Sequence, residues 1–310
     1  MPRWRVGHPG GVTQALGDGG EVVGGLGTLP RVSGCGAVEW LADLVADGDV
    51  VVLSGAGIST ESGIPDYRGE TGRARRATPM TYQTFVGSAA ARQRYWARSH
   101  LGWRHIVKAE PNDGHRAVAE LQRLGLVGGI ITQNVDGLHQ VAGAQGVIEL
   151  HGSLDRVLCL DCGRRSPREV LDRRLRAANP GWHARPRMIN PDGDAVLSDE
   201  EIAEFNLVDC VDCGGVLKPD VIFFGENVPR ERVQRCYELT ERAGLLLVLG
   251  SSLAVMSGYR FVRRAAERDI PIAIVNQGPT RGDAHALLTI DAPLGVTLTR
   301  LLEVLPHQAR

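Results

Sequence analysis

The sequence predicts an α/β fold: a parallel sheet with helices on both faces, interrupted by a small inserted four-cysteine module. Three observations carry this. Apolar runs at Val50–Leu53, Val127–Thr132, Leu245–Leu249 and Ile272–Val275 lack the polar alternation of a half-exposed strand, so each reads as a strand buried on both faces. Helix-length stretches separate them, and such alternation builds parallel sheets. Two Cys-x-x-Cys pairs, Cys159 with Cys162 and Cys210 with Cys213, interrupt the series.

The bulk numbers bound the function. A chain of 310 residues, 43% hydrophobic and 23% charged, has an ordinary globular composition and room for one or two domains. A net charge of -1 supplies no pull toward nucleic acid or an anionic membrane, and no apolar run reaches bilayer-spanning length. Lys108 and Lys218 are the only lysines among 35 basic residues. That bias suggests a GC-rich bacterial genome; with no signal-peptide core, it leads to an expected cytoplasmic location. Residues 1–34, glycine-rich and without periodicity, read as a loose N-terminal extension. Cys35 and Cys236 stand alone and read as small buried apolar residues.

Val38, Leu41, Leu44 and Val45 share one helical face, with Gly48 as the stop. The helix feeds the strand from Val50, which breaks at Gly55-Ala56-Gly57. Two glycines around an alanine let backbone N–H groups approach a phosphate. A helical turn carrying the hydroxyls of Ser59, Thr60 and Ser62 follows, and Pro65 is expected to end it. This is neither common phosphate cradle. There is no P-loop lysine, Thr60 replaces the third glycine of the dinucleotide fingerprint, and Arg73, Arg75 and Arg76 occupy the region of its acid. The arginine-rich stretch reads either as a loop over a ligand or as a solvated surface loop. A helical region is expected from Thr81 to Lys108, then a helix from Gly114 to Leu124, capped by Asn112 or Asp113 and stopped by Gly125.

The strand at Val127–Thr132 ends in Gln133, Asn134, Val135 and Asp136. Ligands sit beyond the C-terminal ends of strands in open α/β sheets. Asn134 or Asp136 alone could be a helix cap; three polar residues together favour a site. A third strand, Val147–Leu150, leads to His151, whose ordinary pKa of about 6.5 suits proton removal at neutral pH. The cysteine pairs, each followed by glycine (Gly163, Gly214), suit a closed tetrahedral structural zinc. Helices are expected near Pro167–Ala177 and Ser198–Phe205. The run Leu217–Glu226 returns to the main core, with Pro219 at a boundary or edge. Such an edge can accept an extended peptide. Helices at Arg230–Arg242 and Ser257–Arg268 flank the strand Leu245–Leu249, which ends in Gly250-Ser251-Ser252. The strand Ile272–Val275 ends in Asn276-Gln277-Gly278.

The string Gly55-Ala56-Gly57-Ile58-Ser59-Thr60-Glu61-Ser62-Gly63-Ile64-Pro65-Asp66-Tyr67-Arg68 resembles the signature of the sirtuins, NAD-dependent protein deacylases. The likeness spans roughly residues 36 to 305. Tyr67, the Cys159–Gly163 string and Pro191-Asp192-Gly193-Asp194 look like the class II, sirtuin-4-like branch. The resemblance implies a Rossmann-like domain at 35–156 and 219–310 with a zinc module at 157–218. It implies NAD held by Gly55, Ala56, Gly57, Thr60, Asp66, Tyr67 and Arg68, by Gln133, Asn134 and Asp136, and by Gly250, Ser251, Ser252, Asn276, Gly278 and Leu294. His151, Asn134 and Asp136 would be catalytic. Val221, Phe224, Gly225 and Glu226 would form the strand that clamps an acyl-lysine peptide, and Cys159, Cys162, Cys210 and Cys213 would hold one zinc.

The implied reaction breaks the nicotinamide–ribose bond, lets the acyl oxygen attack the sugar and uses His151 to take a proton from a ribose hydroxyl. It releases lysine and O-acyl-ADP-ribose. Tyr95 and Arg98, one helical turn apart, match the Tyr-x-x-Arg spacing with which desuccinylating sirtuins grip an acidic acyl tail. The other enzymatic reading is protein mono-ADP-ribosyl transfer. The expected partner is an acylated-lysine protein or peptide, with no nucleic acid and no membrane, and the chain is expected to act as a monomer.

Overall fold

A computed structural model describes residues 36–66, 79–184 and 194–305. Tyr67, Arg68, the Arg73–Arg76 stretch, Cys35, the N-terminal extension and Pro191–Gly193 lie outside the described residues.

Helix α1 (Gly36–Ala46) feeds β1 (Val50–Ser54), which runs into a 3-10 turn at Ala56–Ser62. Gly63, at φ 81°, closes that turn two residues before Pro65, because a left-handed residue ends the turn more directly than a following proline. The expected helix at 81–108 is two: α2 (Tyr82–Gly87) and α3 (Ala89–Ile106). Ser88 is extended at φ -140°, and its side chain caps the second helix by accepting from Ala91 N. Helix α4 (Asp113–Arg123) is capped by Asn112, one of the two expected caps, which also forms a capping box with His115 that the sequence reading did not foresee. Strand β2 (Val127–Thr132), helix α5 (Leu138–Val141) and strand β3 (Ile148–Glu149) complete this half.

The small module comprises β4 (Gly152–Cys159), β5 (Arg165–Pro167), α6 (Arg168–Ala178), α7 (Asp199–Ala203) and β6 (Leu217–Val221). The chain then alternates through α8 (Arg230–Glu241), β7 (Leu245–Leu249), α9 (Met256–Glu267), β8 (Ile272–Val275), β9 (Leu288–Ile290) and α10 (Leu294–Val304).

Among the described residues there are two sheets. The larger is parallel, in the order β3-β2-β1-β7-β8-β9. Its strands alternate between two buried faces. Val50, Val52, Leu245, Leu247 and Leu249 pack with α1, α4 and α10 through Leu41, Val118, Leu121, Leu298 and Leu301. Val51, Leu53, Leu246 and Val248 pack with α9 and α8 through Phe261, Val262, Ala265 and Cys236. Each fully buried leucine or valine contributes roughly 1.5–3 kcal/mol, more than an exposed ion pair, so this core sets where the strands end. Burial pushes the Cys236 thiol up to about 12, in keeping with a small apolar core residue.

The smaller sheet is antiparallel in the order β5-β4-β6. Here the structure differs from the sequence expectation. β6 pairs with β4 rather than joining the main sheet; the pairing was not expected because β4, whose alternation is broken by a register shift between Gly152 and Val157, was not legible as a strand. Arg168 fastens this module to α3: its guanidinium is buried 5.1 Å over the Trp96 ring and 4.9 Å over the Trp103 ring.

Candidate active site

Ser54 pairs with both Thr132 and Leu249, so β1, β2 and β7 end at one level. The chain runs outward one way through β1, β2 and β3, and the other way through β7, β8 and β9. The β1/β7 boundary is therefore the topological switch point, where open α/β sheets bind ligands. The loops after β1 and β7 interlock there. Gly55 N donates to Leu249 O at 2.9 Å and Gly57 N to Gly250 O at 2.8 Å. A Cβ on Gly57 would lie 2.8 Å from Gly250 Cα, and one on Gly55 2.8 Å from Ser251 Cβ. These glycines are thus required by close packing of two loops, and their amides face the neighbouring strand end rather than standing ready for phosphate. Leu294 packs on the same point: a Cβ on Gly250 would lie 2.8 Å from its Cδ1.

Ser59, in the 3-10 turn, is the hub of the polar floor. It accepts from Asn134 Nδ2 at 3.0 Å and donates to Asp136 Oδ2 at 2.7 Å. Asn134 Nδ2 also reaches Gly55 O at 3.1 Å. Asp136 Oδ1 accepts from Leu138 N at 3.0 Å, so it caps α5 while its other oxygen serves the site. Burial pushes its carboxyl above the usual range, against the bonds from Leu138 and Ser59. Gln133 Nε2 donates to Ser251 Oγ at 2.8 Å, and Thr60 Oγ1 to Gly57 O at 2.9 Å. Ser252 O takes Arg281 N at 3.0 Å. At the far end of the crevice Asn276 Nδ2 donates to Gly278 O at 2.9 Å, and Gly278 N to Asp291 Oδ1 at 2.9 Å. Asp291 was missed because it follows β9, a strand of three residues. Asp66 is half-buried.

Beneath the floor two histidines lie edge to face at 5.1 Å, both fully buried. His139 Nε2 meets Ser54 Oγ at 2.9 Å. Burial lowers His115 to about 3, with His139 and Arg116 adding to it, and lowers His139 to about 4.

His151 joins the two sheets. Leu150 N bonds Thr132 O at 2.8 Å, and Ile222 N donates to His151 O at 2.8 Å. The ring's Nδ1 lies 2.9 Å from Gln133 O, and its Nε2 lies 2.8 Å from Ser257 Oγ. Burial lowers the ring's pKa, offset by the Gln133 bond and reinforced by Arg232 and Arg260, so the ring is neutral at pH 7. Ser257 gave no signal in the sequence, where a serine at a helix start reads as ordinary.

Opposite His151, Val221 pairs with Gly152 at the edge of the small sheet. The expected strand to Glu226 stops at Val221. Gly225 at φ 77° and the Glu226 N→Phe223 O bond of 3.0 Å turn the chain. The Glu226 carboxylate points inward, accepting from Phe223 N at 2.8 Å and meeting the buried Lys218 Nζ at 3.0 Å. Phe224 stays 40% exposed and bridges to Thr81. Tyr95 is buried against Phe85 and Phe223, and Arg98 is half-buried with Nε on Ala195 O at 2.8 Å.

The four cysteine sulfurs all lie within 4.8 Å of one another. Cys159 and Cys213 are 3.5 Å apart, and Cys162 and Cys210 are 3.8 Å apart. Those separations fit the edges of a tetrahedron with Zn–S of about 2.3 Å. The two knuckles repeat one geometry: Gly163 N bonds Cys159 O and Gly214 N bonds Cys210 O, with φ of 72° and 71°. The cluster sits at the end of β4 far from His151, about 20 Å along the strand.

The description "Sir2 family" matches residues 55–257. The chain belongs to the Sir2 family. It is 62% identical over 263 residues to "NAD-dependent protein deacetylase 1" of Streptomyces coelicolor, covering 85% of this chain and 88% of that one. It is 48% identical over 252 residues to human "NAD-dependent protein lipoamidase sirtuin-4, mitochondrial", covering 80% of each. A solved Sir2 structure with a p53 peptide and NAD+ superposes with a TM-score of 0.69 at 31% identity, over 86% of this chain and 96% of that one. The interlocked glycine loops and the amide, hydroxyl and carboxyl groups around them converge at the switch point, where open α/β sheets bind ligands. Among the described residues no helix is long and apolar enough to cross a membrane.

Proposed function

We propose that this chain removes acyl groups from lysine side chains of proteins, with NAD as co-substrate and His151 as base. The observation that carries this is the position of His151, between the switch-point loops and the β6 edge, with its ring bonded at both nitrogens. NAD supplies an electrophilic sugar carbon and the hydroxyl that receives the acyl group. The chain's own residues do the rest. Asn134 and Asp136 hold the sugar side of the crevice through Ser59, Gln133 and Ser251 brace its back wall, and the β6 edge at Val221 bonds an extended peptide. His151 Nε2 takes the hydroxyl proton, and burial keeps that nitrogen unprotonated at pH 7. The adenosine end is assigned to Asn276, Gly278 and Asp291. Tyr67 and Arg68 keep the roles implied by the signature. The zinc site is closed and structural.

For acyl choice we propose Tyr95 and Arg98. The Tyr95 ring lies 5.1 Å from Phe223, beside the peptide turn, and the Ala195 carbonyl fixes the plane of the Arg98 guanidinium one helical turn on. An acidic tail is then preferred over acetyl. The protein is expected to work as a cytoplasmic monomer on acylated-lysine peptide, without nucleic acid. Protein ADP-ribosyl transfer is not favoured, since the relatives are named as deacetylases and lipoamidases.

The test is a panel of acetyl-, lipoyl-, succinyl- and hydroxymethylglutaryl-lysine peptides incubated with NAD. Released nicotinamide and O-acyl-ADP-ribose are read by mass spectrometry for wild type, His151→Ala and Arg98→Met. Nicotinamide release from no peptide, or full turnover by His151→Ala, ends the reading. Identical acyl profiles for wild type and Arg98→Met end the part concerning Arg98.

A further inference from the structure

Ser257 is the second residue of α9, and its Oγ lies 2.8 Å from His151 Nε2. The other ring nitrogen faces the Gln133 carbonyl at 2.9 Å. A carbonyl only accepts, so Nδ1 carries the hydrogen and Nε2 carries the lone pair. The Ser257 hydroxyl therefore donates to Nε2, and the ring is held at both ends. The first turn of α9 also packs against the Gln133 side chain. Gly258 is packed so closely that a Cβ there would lie 2.4 Å from Gln133 Oε1. Gln133 Nε2 in turn donates to Ser251 Oγ in the loop that leads into α9. The serine, the base and the crevice wall thus share one residue, Gln133, as their common support.

We propose that Ser257 is a positioning residue for the base, one that keeps a hydrogen bond to His151 in both of its charge states. The inference rests on the deacylase reading. A hydroxyl rotates: it donates to Nε2 while the imidazole is neutral, and it accepts from Nε2–H once the ring has gained a proton. The Ser257 O–H swings off Nε2 to free the nitrogen's one lone pair for the reacting hydroxyl; the reacting oxygen keeps the bonding electron pair as its proton moves to Nε2, and the Ser257 oxygen then offers its lone pair to Nε2–H. The ring becomes cationic beside Arg232 and Arg260, which both oppose that charge, so an acceptor at Nε2 matters most at this moment. Neither an amide N–H nor a carbonyl could serve both states. Ser257 is half-exposed and lies in the first turn of its helix, so alanine there leaves the fold intact.

The test compares wild type, Ser257→Ala and Ser257→Thr in three measurements. The first is deacylation turnover. The second is incorporation of labelled nicotinamide into NAD in the presence of acyl peptide, which reads bond cleavage before the proton transfer. The third is the 15N resonance of His151 Nε2 in the protein without NAD, assigned by its loss in His151→Ala. Misplacing a base typically costs one to two orders of magnitude, so deacylation by Ser257→Ala is expected to fall roughly tenfold. Nicotinamide incorporation should stay within about twofold by the same reasoning, and threonine should restore turnover. The Nε2 resonance should move in Ser257→Ala and return toward wild type in Ser257→Thr. The proposal is overturned if Ser257→Ala deacylates like wild type, if both reactions fall together, if threonine does not rescue, or if the resonance stays still. Wild-type protein that neither deacylates nor incorporates nicotinamide fails the deacylase reading itself, and this inference with it.

Discussion

Gly152 directly follows His151, and its replacement by alanine tests whether the proposed base and the proposed peptide edge share one close approach. Its backbone is left-handed at φ 84°, and a Cβ there would sit 2.0 Å from the Asp220 carbonyl oxygen and 3.0 Å from Val221 Cα. A side chain in that conformation costs about 1–2 kcal/mol. Forcing β4 from β6 adds about 1–3 kcal/mol of overpacking, because the obstacle is backbone and cannot swing aside. The total is about 2–5 kcal/mol, which in a chain of this size lowers Tm by about 3–8 °C. Gly125 is the control: its φ is 79°, but a Cβ there meets nothing within 4 Å, so Gly125→Ala carries the backbone cost alone. Scanning calorimetry of wild type, Gly152→Ala and Gly125→Ala separates the two contributions, and the KM for acyl peptide should rise in Gly152→Ala only. Equal Tm losses in the two variants would refute the argument that close packing of β4 on β6 is what Gly152 supplies.

Two further outcomes follow from the buried groups. Purified protein should carry one zinc per chain, and Cys162→Ser should lose it with a fall in Tm; unchanged metal content would remove the cluster as a zinc site. His115 and His139 are held neutral at about 3 and about 4, below their unfolded value of 6.5. Their contribution is complete above pH 6.5 and is lost as pH falls toward the folded values, since the unfolded chain binds those protons first. Each accounts for about 1 kcal/mol of lost stability between pH 6 and pH 5. Urea denaturation at the two pH values should show that loss reduced by about this amount in His139→Gln, and an unchanged difference would mean that His139 is not buried neutral.

The strands of the main sheet were legible because both their faces are buried, leaving continuous runs such as Leu245–Leu249 with no polar interruption. Strand β4 was hidden for the opposite reason. Its Asp155 and Arg156 face outward, where Arg156 pairs with Glu149 and Asp220, and the register shift removes the period of two. Strand β6 looked like a core strand because Lys218, its one cation, is buried against Glu226 and the Phe223 ring rather than exposed. The polar strand ends were readable as a cluster, yet the reason for the glycines was not. Their amides are bonded across to β7, a fact that depends on which strand lies beside β1 and so lies outside local sequence. Ser257 was illegible on the same ground, since its partner is more than a hundred residues away.

One residue ties the proposed cofactor site to the proposed peptide edge. The main sheet holds His151 from behind, through the Leu150 amide on Thr132 and the ring on the Gln133 carbonyl. The small sheet begins at the next residue, where Gly152 pairs with Val221 and the His151 carbonyl takes the Ile222 amide. On the proposed reading, a peptide added along β6 pulls on a strand whose neighbour starts one residue from the proposed base. Proton transfer needs hydrogen-bond contact within a few tenths of an ångström, so a base carried on a separate loop would lose that alignment whenever either sheet shifted. Placing it at the junction makes the distance between base and peptide edge a property of covalent geometry and a pair of backbone hydrogen bonds.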